Sequence, residues 1–319
     1  MEKGGWKPKP KIFIDGAEGT TALEIRERLK KLIEEKGEIE MVFVKGPPKD
    51  PKERSEAMEK SDLVVLCLPD DAAKESVAIA NSLGSSAPKI LDASTAHRIA
   101  QGWVYGFPEM DNQQSEKIKE ADAVSNPGCY ATGAIALLRP LVQAGVIPED
   151  YPITINAMSG YSGGGKKMIE AHNKGTAPNF ELYGLDLEHK HIPEIQTHSQ
   201  LKESPIFIPS VGGFPQGMLV SIPLHLKQLP GKITGENIAE VLRKHYAESN
   251  QIKVILHPPY ESRLNPEALA KTDKLDLHVF WDGKKEQAVL VASLDNLGKG
   301  AAGAAVQNIE LMLGLANQK

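Results

Sequence analysis

Short apolar runs alternate with amphipathic segments along the first hundred residues of the chain. The runs lie at residues 11–15, 39–46, 62–69 and 89–92, and the segments after the first and third runs repeat apolar positions at helical spacing. Runs of this length are typical of buried strands. Strands that alternate with helices predict an α/β fold with a Rossmann-type, doubly wound parallel sheet, whose ligands bind beyond the carboxyl ends of the strands.

The pattern changes near residue 152. An alternating strand leads into a glycine-rich loop at 160–165, and strand candidates follow at 204–214, 217–226, 252–257, 275–283 and 287–295, with one amphipathic helix at 233–249. Consecutive strands with few helices predict an α+β domain with a mostly antiparallel sheet. The final segment, 295–318, is rich in alanine and glycine, and we expect a helix that packs closely against another element.

The turn after the first strand is a candidate phosphate-binding loop. Gly16 and Gly19 lie in GxxG spacing, Thr20 and Thr21 are placed to cap the following helix, and backbone amides at such a turn can cradle a phosphate. The sequence departs from the dinucleotide fingerprint GxGxxG, since Glu18 occupies the position of the middle glycine. An ordinary strand-to-helix turn is the alternative.

Polar residues follow the ends of the other predicted strands. Lys45 stands near the end of the second run, where a cation suits the 2′-phosphate of NADP, so we expect NADP(H) rather than NAD. A solvated surface lysine is the alternative. The remaining polar residues at strand ends are Asp70, Asp71, Ser94, Thr95 and Arg98.

A cysteine opens a predicted helix in the stretch SNPGCYATGAIALL. Pro127 and Gly128 interrupt the preceding segment, and the apolar positions after Cys129 repeat at helical spacing. Helix N-terminal amides and the helix dipole favour an anion there, so the sequence predicts a reactive thiolate at Cys129. A buried, unreactive thiol is the alternative, and it describes Cys67, which lies in an apolar run.

A second candidate site lies in LEHKHIPEIQ. Pro193 suits the first position of a helix, Glu194 falls in its first turn, and His191 stands just before it. Glu194 can then orient His191, leaving one imidazole nitrogen to act as a base. A cysteine at a helix start and a histidine backed by a carboxylate are the groups that thiolate catalysis uses. The alternatives are surface histidines, or a metal site formed by His189, His191 and Glu194.

Composition narrows the partners. The chain has 319 residues, 41% apolar and 25% charged, and a net charge of −5, which gives no electrostatic reason to bind nucleic acid or an anionic membrane. No apolar run approaches the roughly 18 residues of a membrane span, and the N-terminal segment lacks the apolar core of a signal peptide. Two cysteines in such different settings predict reduced thiols and a cytoplasmic protein.

Six motifs of this sequence together resemble one enzyme family. In order they are IDGAEGTT, LCLPDDAA, SNPGCYATGA, SGYSGGGK, HKHIPEI and DNLGKGAAGAAVQN. They resemble the N-acetyl-gamma-glutamyl-phosphate reductases of arginine biosynthesis, in particular the shorter bacterial type. The resemblance implies an architecture shared with aspartate-semialdehyde and glyceraldehyde-3-phosphate dehydrogenases. It assigns residues 1–128 plus 297–319 to an NADP-binding Rossmann-like domain and residues 129–296 to a catalytic and oligomerisation domain.

The resemblance also supplies a reaction. It implies that Cys129 attacks N-acetyl-L-glutamyl 5-phosphate and that phosphate departs, which gives a thioacyl enzyme. It further implies that NADPH then reduces the thioacyl group to N-acetyl-L-glutamate 5-semialdehyde. His191 matches the acid/base histidine of the family and Glu194 its neighbour. Substrate contacts fall on Arg98, His189, Asn126 and Ser94, and cofactor contacts on Gly16, Gly19, Thr20, Thr21, Gly163, Gly164, Gly165 and Asn296. For Arg98 a surface arginine is the alternative, and for the second glycine loop a flexible connection.

Three other functions remain open at this point. A sister enzyme would run the same chemistry on another acyl phosphate, such as aspartyl phosphate. A protein that binds NADP without turnover would keep the fold, although the intact Cys129, His191 and Glu194 argue against it. A metal-dependent hydrolase would use the histidine pair. The partners we expect are a small-molecule acyl phosphate and further copies of the chain, as a homodimer or homotetramer, with no nucleic acid, membrane or metal.

Overall fold

The structure is a computed structural model that describes residues 8–16, 18–44, 50–258 and 261–315. The chain forms two compact units. The first comprises Met1–Gly106, Glu116–Asn126 and Ala305–Lys319, and the second comprises Phe107–Ser115 and Pro127–Ala304. These divisions differ from the boundaries expected at 128 and 296, because residues 107–115 cluster with the second unit and the crossing back falls eight residues later, inside the closing helix.

A six-stranded parallel sheet forms the centre of the first unit. Its strands are β1 (Lys11–Asp15), β2 (Glu40–Val42), β3 (Leu63–Leu66), β4 (Lys89–Asp92), β5 (Val104–Tyr105) and β6 (Ala123–Ser125), in the order β2-β1-β3-β4-β6-β5. Every strand pairing recorded in this sheet is parallel. The helices are α1 (Thr20–Lys36), α2 (Pro51–Glu59), α3 (Asp70–Ser82) and α4 (Gln114–Glu120). The doubly wound sheet is confirmed.

Apolar strands explain this sheet. β3 is LVVL with all four residues buried, as expected of a strand covered by helices on both faces. Phe13, Val64 and Ile90 from three neighbouring strands share one core cluster with Met58 of α2 and Ala73 of α3. The second strand is shorter than the predicted run 39–46. It ends at Val42, and Lys45 lies outside the described residues.

A seven-stranded mixed sheet forms the second unit. Its strands are β7 (Thr154–Gly160), β8 (Phe180–Leu182), β9 (Ile206–Gly212), β10 (Met218–His225), β11 (Ile252–Leu256), β12 (Leu275–Asp282) and β13 (Gln287–Leu294), in the order β11-β12-β13-β10-β7-β9-β8. Four of its six pairings are antiparallel and two are parallel. The expected α+β unit with a mostly antiparallel sheet is confirmed.

The helices of the second unit are α5 (Cys129–Gln143), α6 (Gly165–Asn173), α7 (Ile192–Ser199), α8 (Gly235–His245) and α9 (Gly303–Met312), the last of which continues into the first unit. Helix α5 packs against α7, α8 and strand β13, and all but three of its fifteen residues are buried. Helix α8 begins with a capping box in which Thr234 and Asn237 exchange hydrogen bonds. None of the helices in the described residues combines the length and apolarity of a membrane span.

The closing segment departs from the single helix expected over 295–318. It begins as a π-helical turn at Gly298–Ala302 and continues as α9. Beyond Ala304 it clusters with the first unit, where Asn308 Nδ2 donates to the Gly106 carbonyl at 2.9 Å and to Asn126 Oδ1 at 3.1 Å. A side chain on Gly106 would overlap Asn308, so these two residues depend on each other.

The two glycines of the first turn give a paired test of this fold. Gly16 has φ +90°, and a β-carbon there would overlap the Cys67 carbonyl, whereas Gly19 has φ −74° and open space around it. We expect Gly16→Ala to lower the free energy of unfolding by more than about 1 kcal/mol. Gly19→Ala should change it by less than about 0.5 kcal/mol, because the loss of a favoured N-cap residue offsets the lower entropy of the unfolded chain. Urea unfolding of the two variants checks this, and equal destabilisation would contradict it.

Candidate active site

Cys129 is the first residue of α5, as the sequence predicted. The preceding Gly128 is the N-cap residue, with φ −78° and ψ 149°, and no side chain caps the helix. The first-turn amides of a buried helix therefore lie beside the thiol, together with the positive end of the helix dipole. Such an environment favours an anion at Cys129.

One hydrogen bond joins this helix start to the histidine segment. The Gly128 N–H donates to Glu194 Oε1 at 2.7 Å across 66 residues of sequence, and Glu194 is only 1% exposed. Glu194 lies in the first turn of α7, and His191 is the N-cap residue of that helix. The starts of α5 and α7 are therefore held together by a carboxylate. Pro193 occupies the second helical position, one residue later than expected.

The two histidines are packed against each other and against aromatic rings. The His191 backbone N–H donates to His189 Nδ1 at 3.1 Å, which leaves the proton of a neutral His189 on Nε2. The two imidazoles lie edge to face at 4.8 Å, and the Tyr130 ring contacts both, at 6.0 Å from His189 and 5.8 Å from His191. His191 is 5% exposed, which removes the surface-histidine alternative for this residue.

Two tyrosine hydroxyls are close enough to Cys129 to interact with it electrostatically. Tyr183 donates to Tyr130 at 3.3 Å, and Tyr130 donates to the Ser210 carbonyl at 2.9 Å. Burial raises the pKa of Tyr183 to about 12, with the negative charge of Cys129 adding to the shift. Burial likewise raises the pKa of Tyr130 well above its usual range. Both phenols therefore stay protonated and uncharged at neutral pH, and their O–H groups are engaged by each other and by the Ser210 carbonyl.

The π-helical turn lies against the other side of Cys129. A β-carbon on Gly300 would lie 2.9 Å from Cys129 Cβ, so only glycine allows this approach. In the same way, a β-carbon on Gly298 would overlap the Thr272 carbonyl oxygen. The Asp295 carboxylate accepts hydrogen bonds from the backbone N–H groups of Lys271 and Leu297. These bonds fix the segment between the end of β13 and the π turn.

Asn296 lies beside the second glycine loop. The family resemblance assigned both to cofactor binding. Its Oδ1 accepts from the Gly217 N–H at 2.9 Å and its Nδ2 donates to Ser162 Oγ at 2.8 Å. The loop is a 3-10 turn at Tyr161–Gly164 followed directly by α6, rather than a flexible connection. Gly165 there has φ +74°, and a β-carbon on Gly163 would lie 3.2 Å from Ser159 Oγ and 3.4 Å from Asn296 Nδ2.

The predicted substrate residues Arg98, Ser94 and Asn126 are brought together in the first unit. Arg98 is 8% exposed and donates from Nε to the Asn126 carbonyl at 3.1 Å, which excludes the surface-arginine alternative. The Asn126 N–H donates to the Asp92 carbonyl. Ser94 Oγ donates to Asp92 Oδ2 at 2.8 Å and accepts from the Ala96 N–H, so its hydroxyl is already engaged within its own loop.

The first glycine turn lies at the carboxyl end of β1. Gly19 is the N-cap residue of α1, and Thr20 and Thr21 are its first helical residues, so the prediction that these threonines cap the helix is wrong. No side-chain cap is present, and the first-turn amides fit a phosphate. Asp15 is buried just before the turn. Burial raises the pKa of its carboxyl, while Ser76 Oγ at 2.6 Å, Arg54 and the Gly16 amide counteract the shift.

Cys67 has the opposite environment to Cys129. Burial raises the pKa of the Cys67 thiol to about 12, and the negative charges of Asp92 and Asp15 add to this. The prediction of an unreactive thiol agrees with this environment. Both cysteines lie in the described part of the chain, and neither forms a disulfide. Among the described residues, no group of three or more His, Cys, Asp or Glu side chains could hold a metal ion.

Several residues in and around the candidate site were not predicted from the sequence, namely Tyr130, Tyr183, Gly300, Asn308 and the Gly128 amide. Tyr130 follows the cysteine directly, and an aromatic residue there was a usable signal. Gly300 lies in the motif GKGAAG, where a glycine inside a predicted helix signals close approach. The Tyr183 hydroxyl and the Gly128 amide carry no sequence signal, since their partners lie 53 and 66 residues away.

Comparison with known proteins decides the family. The sequence model described as the semialdehyde dehydrogenase dimerisation domain matches residues 129–296, and that of the semialdehyde dehydrogenase NAD binding domain matches residues 31–121. N-acetyl-gamma-glutamyl-phosphate reductase 2 of Pseudomonas putida is 47% identical over 96% of this chain and 97% of its own length. The N-acetyl-gamma-glutamyl-phosphate reductase of Brucella ovis is 48% identical, over 96% and 99%.

The chain belongs to the N-acetyl-gamma-glutamyl-phosphate reductase family. Solved structures agree on the fold of this reductase family. An aspartate semialdehyde dehydrogenase II from Vibrio cholerae, complexed with ASA, superposes with a TM-score of 0.70 at 14% identity, covering 97% of this chain and 99% of its own. The aspartate semialdehyde dehydrogenase with NADP from Candida albicans superposes with a TM-score of 0.64, also at 14% identity, over 96% and 99%.

The two cysteines of this reductase family member give a direct test of the site. At pH 8, a thiol with a pKa of about 12 is ionised in about one molecule in ten thousand, so iodoacetamide should leave Cys67 unmodified in the native protein. We expect modification at Cys129, located by peptide mass spectrometry. Cys67→Ser serves as the matched control and should label like wild type, whereas Cys129→Ser should not label. Preferential labelling of Cys67 would contradict the assignment.

Proposed function

We propose that the protein reduces N-acetyl-L-glutamyl 5-phosphate to N-acetyl-L-glutamate 5-semialdehyde and phosphate, with NADPH, in L-arginine biosynthesis. The observation that carries this proposal is the Gly128 hydrogen bond to Glu194, which joins a cysteine at a helix start to a buried histidine. The family membership supplies the substrate. The site supplies the groups for acyl transfer through sulfur.

Cys129 is the proposed nucleophile. Its sulfur attacks the acyl carbon, and the carbon–oxygen bond to phosphate breaks, which leaves a thioester on the enzyme. His191 takes the thiol proton and gives it to the departing phosphate. The first-turn amides of α5 stabilise the oxyanion. The Gly128 amide is already bound to Glu194 and therefore acts on the position of the loop rather than on the substrate.

The thioester carbon is then reduced, and the resulting alkoxide collapses to the aldehyde with the Cys129 thiolate as leaving group. Bound NADPH supplies the hydride. The phenols of Tyr130 and Tyr183 stay neutral near the sulfur, so they add no negative charge that would oppose the thiolate released in this collapse. Our proposal that Glu194 also orients His191 rests on their shared place at the start of α7.

The cofactor is NADP(H). The residues that would hold it are the turn at Gly16 and Gly19, the first helical residues Thr20 and Thr21, and, for the nicotinamide end, Asn296 with Gly163, Gly164 and Gly165. The uncapped start of α1 fits a pyrophosphate, and Asn296 is joined to the second loop by its hydrogen bond to Ser162.

Arg98 is the proposed anion-binding residue for the substrate. It is buried, and two backbone carbonyls, those of Asn126 and Ala93, fix its guanidinium. A guanidinium fixed in this way can bind a carboxylate or phosphate through two N–H groups. We assign the remaining substrate contacts to His189, Asn126 and Ser94. We also propose a homodimer or homotetramer in the cytoplasm, and self-association is supported by the description of the matched domain as a dimerisation domain.

The reverse reaction tests the proposed function. We expect phosphate-dependent reduction of NADP by wild-type protein with N-acetyl-L-glutamate 5-semialdehyde, and a loss of at least about a thousandfold in Cys129→Ser. The change in NADPH absorbance measures both, and Cys67→Ser is the control with full activity. Turnover of aspartate semialdehyde alone would favour the sister enzyme, and NADP binding without turnover of either aldehyde would favour the binding protein.

A further inference from the structure

The π-helical turn at Gly298–Ala302 is a feature that the proposed reaction does not use. Its hydrogen bonds run from the Gly300 N–H to the Asp295 carbonyl at 2.9 Å and from the Ala302 N–H to the Leu297 carbonyl at 2.8 Å, a spacing of five residues. Turns of this kind are rare and often mark functional sites. This one touches the candidate nucleophile, since Gly300 lies against the Cα and Cβ of Cys129.

The turn carries a buried lysine. Lys299 is 1% exposed, and its Nζ lies 2.8 Å from each oxygen of Glu109 and 2.8 Å from Gln251 Oε1. The ammonium also lies 5.5 Å from the centre of the Phe107 ring. Each of its three N–H groups therefore has an acceptor. A buried ion pair with complete hydrogen bonding is costly to break, because either partner alone would be left as a buried charge.

This ion pair is the charged anchor of an otherwise pliant turn. Gly298 and Gly300 flank Lys299, and Gly303 follows, so the backbone has little stiffness of its own. Glu109 is fixed in turn, because its carbonyl accepts from His245 Nε2 of α8 at 3.2 Å. The cluster therefore connects a rigid helix to the backbone that contacts Cys129.

We propose that Lys299, through its ion pair with Glu109, is a positioning residue that sets the place of the Cys129 sulfur. This proposal rests on the proposed function only for the role of Cys129 as nucleophile. Shifts of about 1 Å in a reacting group can cost about a hundredfold in rate. Loss of the anchor should therefore affect the chemical step more than substrate binding.

The test compares Lys299→Met and Glu109→Gln with the control Arg139→Met. Arg139 lies on α5, ten residues beyond Cys129, and is partly buried. It donates to the His198 carbonyl at 2.9 Å and lies 3.8 Å from Asp111. The control thus removes a partly buried cation that also lies near a carboxylate, without touching the π turn. Two readouts are needed, namely kcat and KM for the aldehyde, and the rate of Cys129 alkylation without substrate or cofactor.

We expect Lys299→Met to lower kcat and the alkylation rate by about 10- to 100-fold, with KM changed less than about threefold. Glu109→Gln should show a smaller effect in the same direction, and Lys299→Arg, which keeps the charge, should recover part of the loss. Arg139→Met should lower the melting temperature alone. Glu109→Gln decides the matter if Lys299→Met does not fold.

The proposal is overturned if the variants melt earlier but keep the wild-type kcat and alkylation rate per folded molecule. That result would describe a purely structural ion pair. The alkylation readout needs no substrate, so the two proposals can fail separately. If the wild-type protein is inactive on the aldehyde but Lys299→Met still alters the alkylation rate of Cys129, the proposed function is overturned and the positioning role stands.

Discussion

The contact between the Gly128 amide and Glu194 is the interaction on which the candidate site depends. It joins the start of α5 to the start of α7, and the site residues Cys129 and His191 stand next to these two positions. A carboxylate buried to 99% needs such a donor, because an unsatisfied charge in the interior is expensive. The polar group that must be satisfied therefore also fixes the geometry of the candidate site.

Close backbone approach at two glycines is a separate constraint around Cys129. Gly300 allows the π turn to approach Cys129, and Gly298 allows the same turn to approach the Thr272 carbonyl. The buried Lys299 then holds a segment that glycine alone would leave pliant. Close approach and charge anchoring therefore act together at the π turn that begins the closing segment.

Local sequence patterns predicted the elements well where burial and period agree. The bounds of β1 and β4 and the start of α5 at Cys129 follow from apolar runs and from the break at Pro127 and Gly128. The association of Asn296 with the second glycine loop also followed, from the resemblance of their motifs. These features depend on residues close together in the sequence or on motifs with a fixed order.

The features that sequence did not predict depend on contacts across long separations. The α-helical pattern of the closing segment gave no sign of the π turn, because that turn results from tertiary contacts at Gly298 and Gly300. The threonines after Gly19 looked like caps, but the helix starts one residue earlier than a threonine cap requires. Tyr183 reaches Tyr130 only because β8 pairs with β9, a pairing that no local pattern signals.

The passage of the acyl group through the sulfur of Cys129 can be observed in one experiment. The protein is mixed with N-acetyl-L-glutamyl 5-phosphate without cofactor, quenched in acid, and its peptides are weighed by mass spectrometry. We expect an N-acetylglutamyl adduct on the Cys129 peptide that hydroxylamine removes and that Cys129→Ser lacks. Phosphate release without that adduct, or an adduct on another residue, would contradict it.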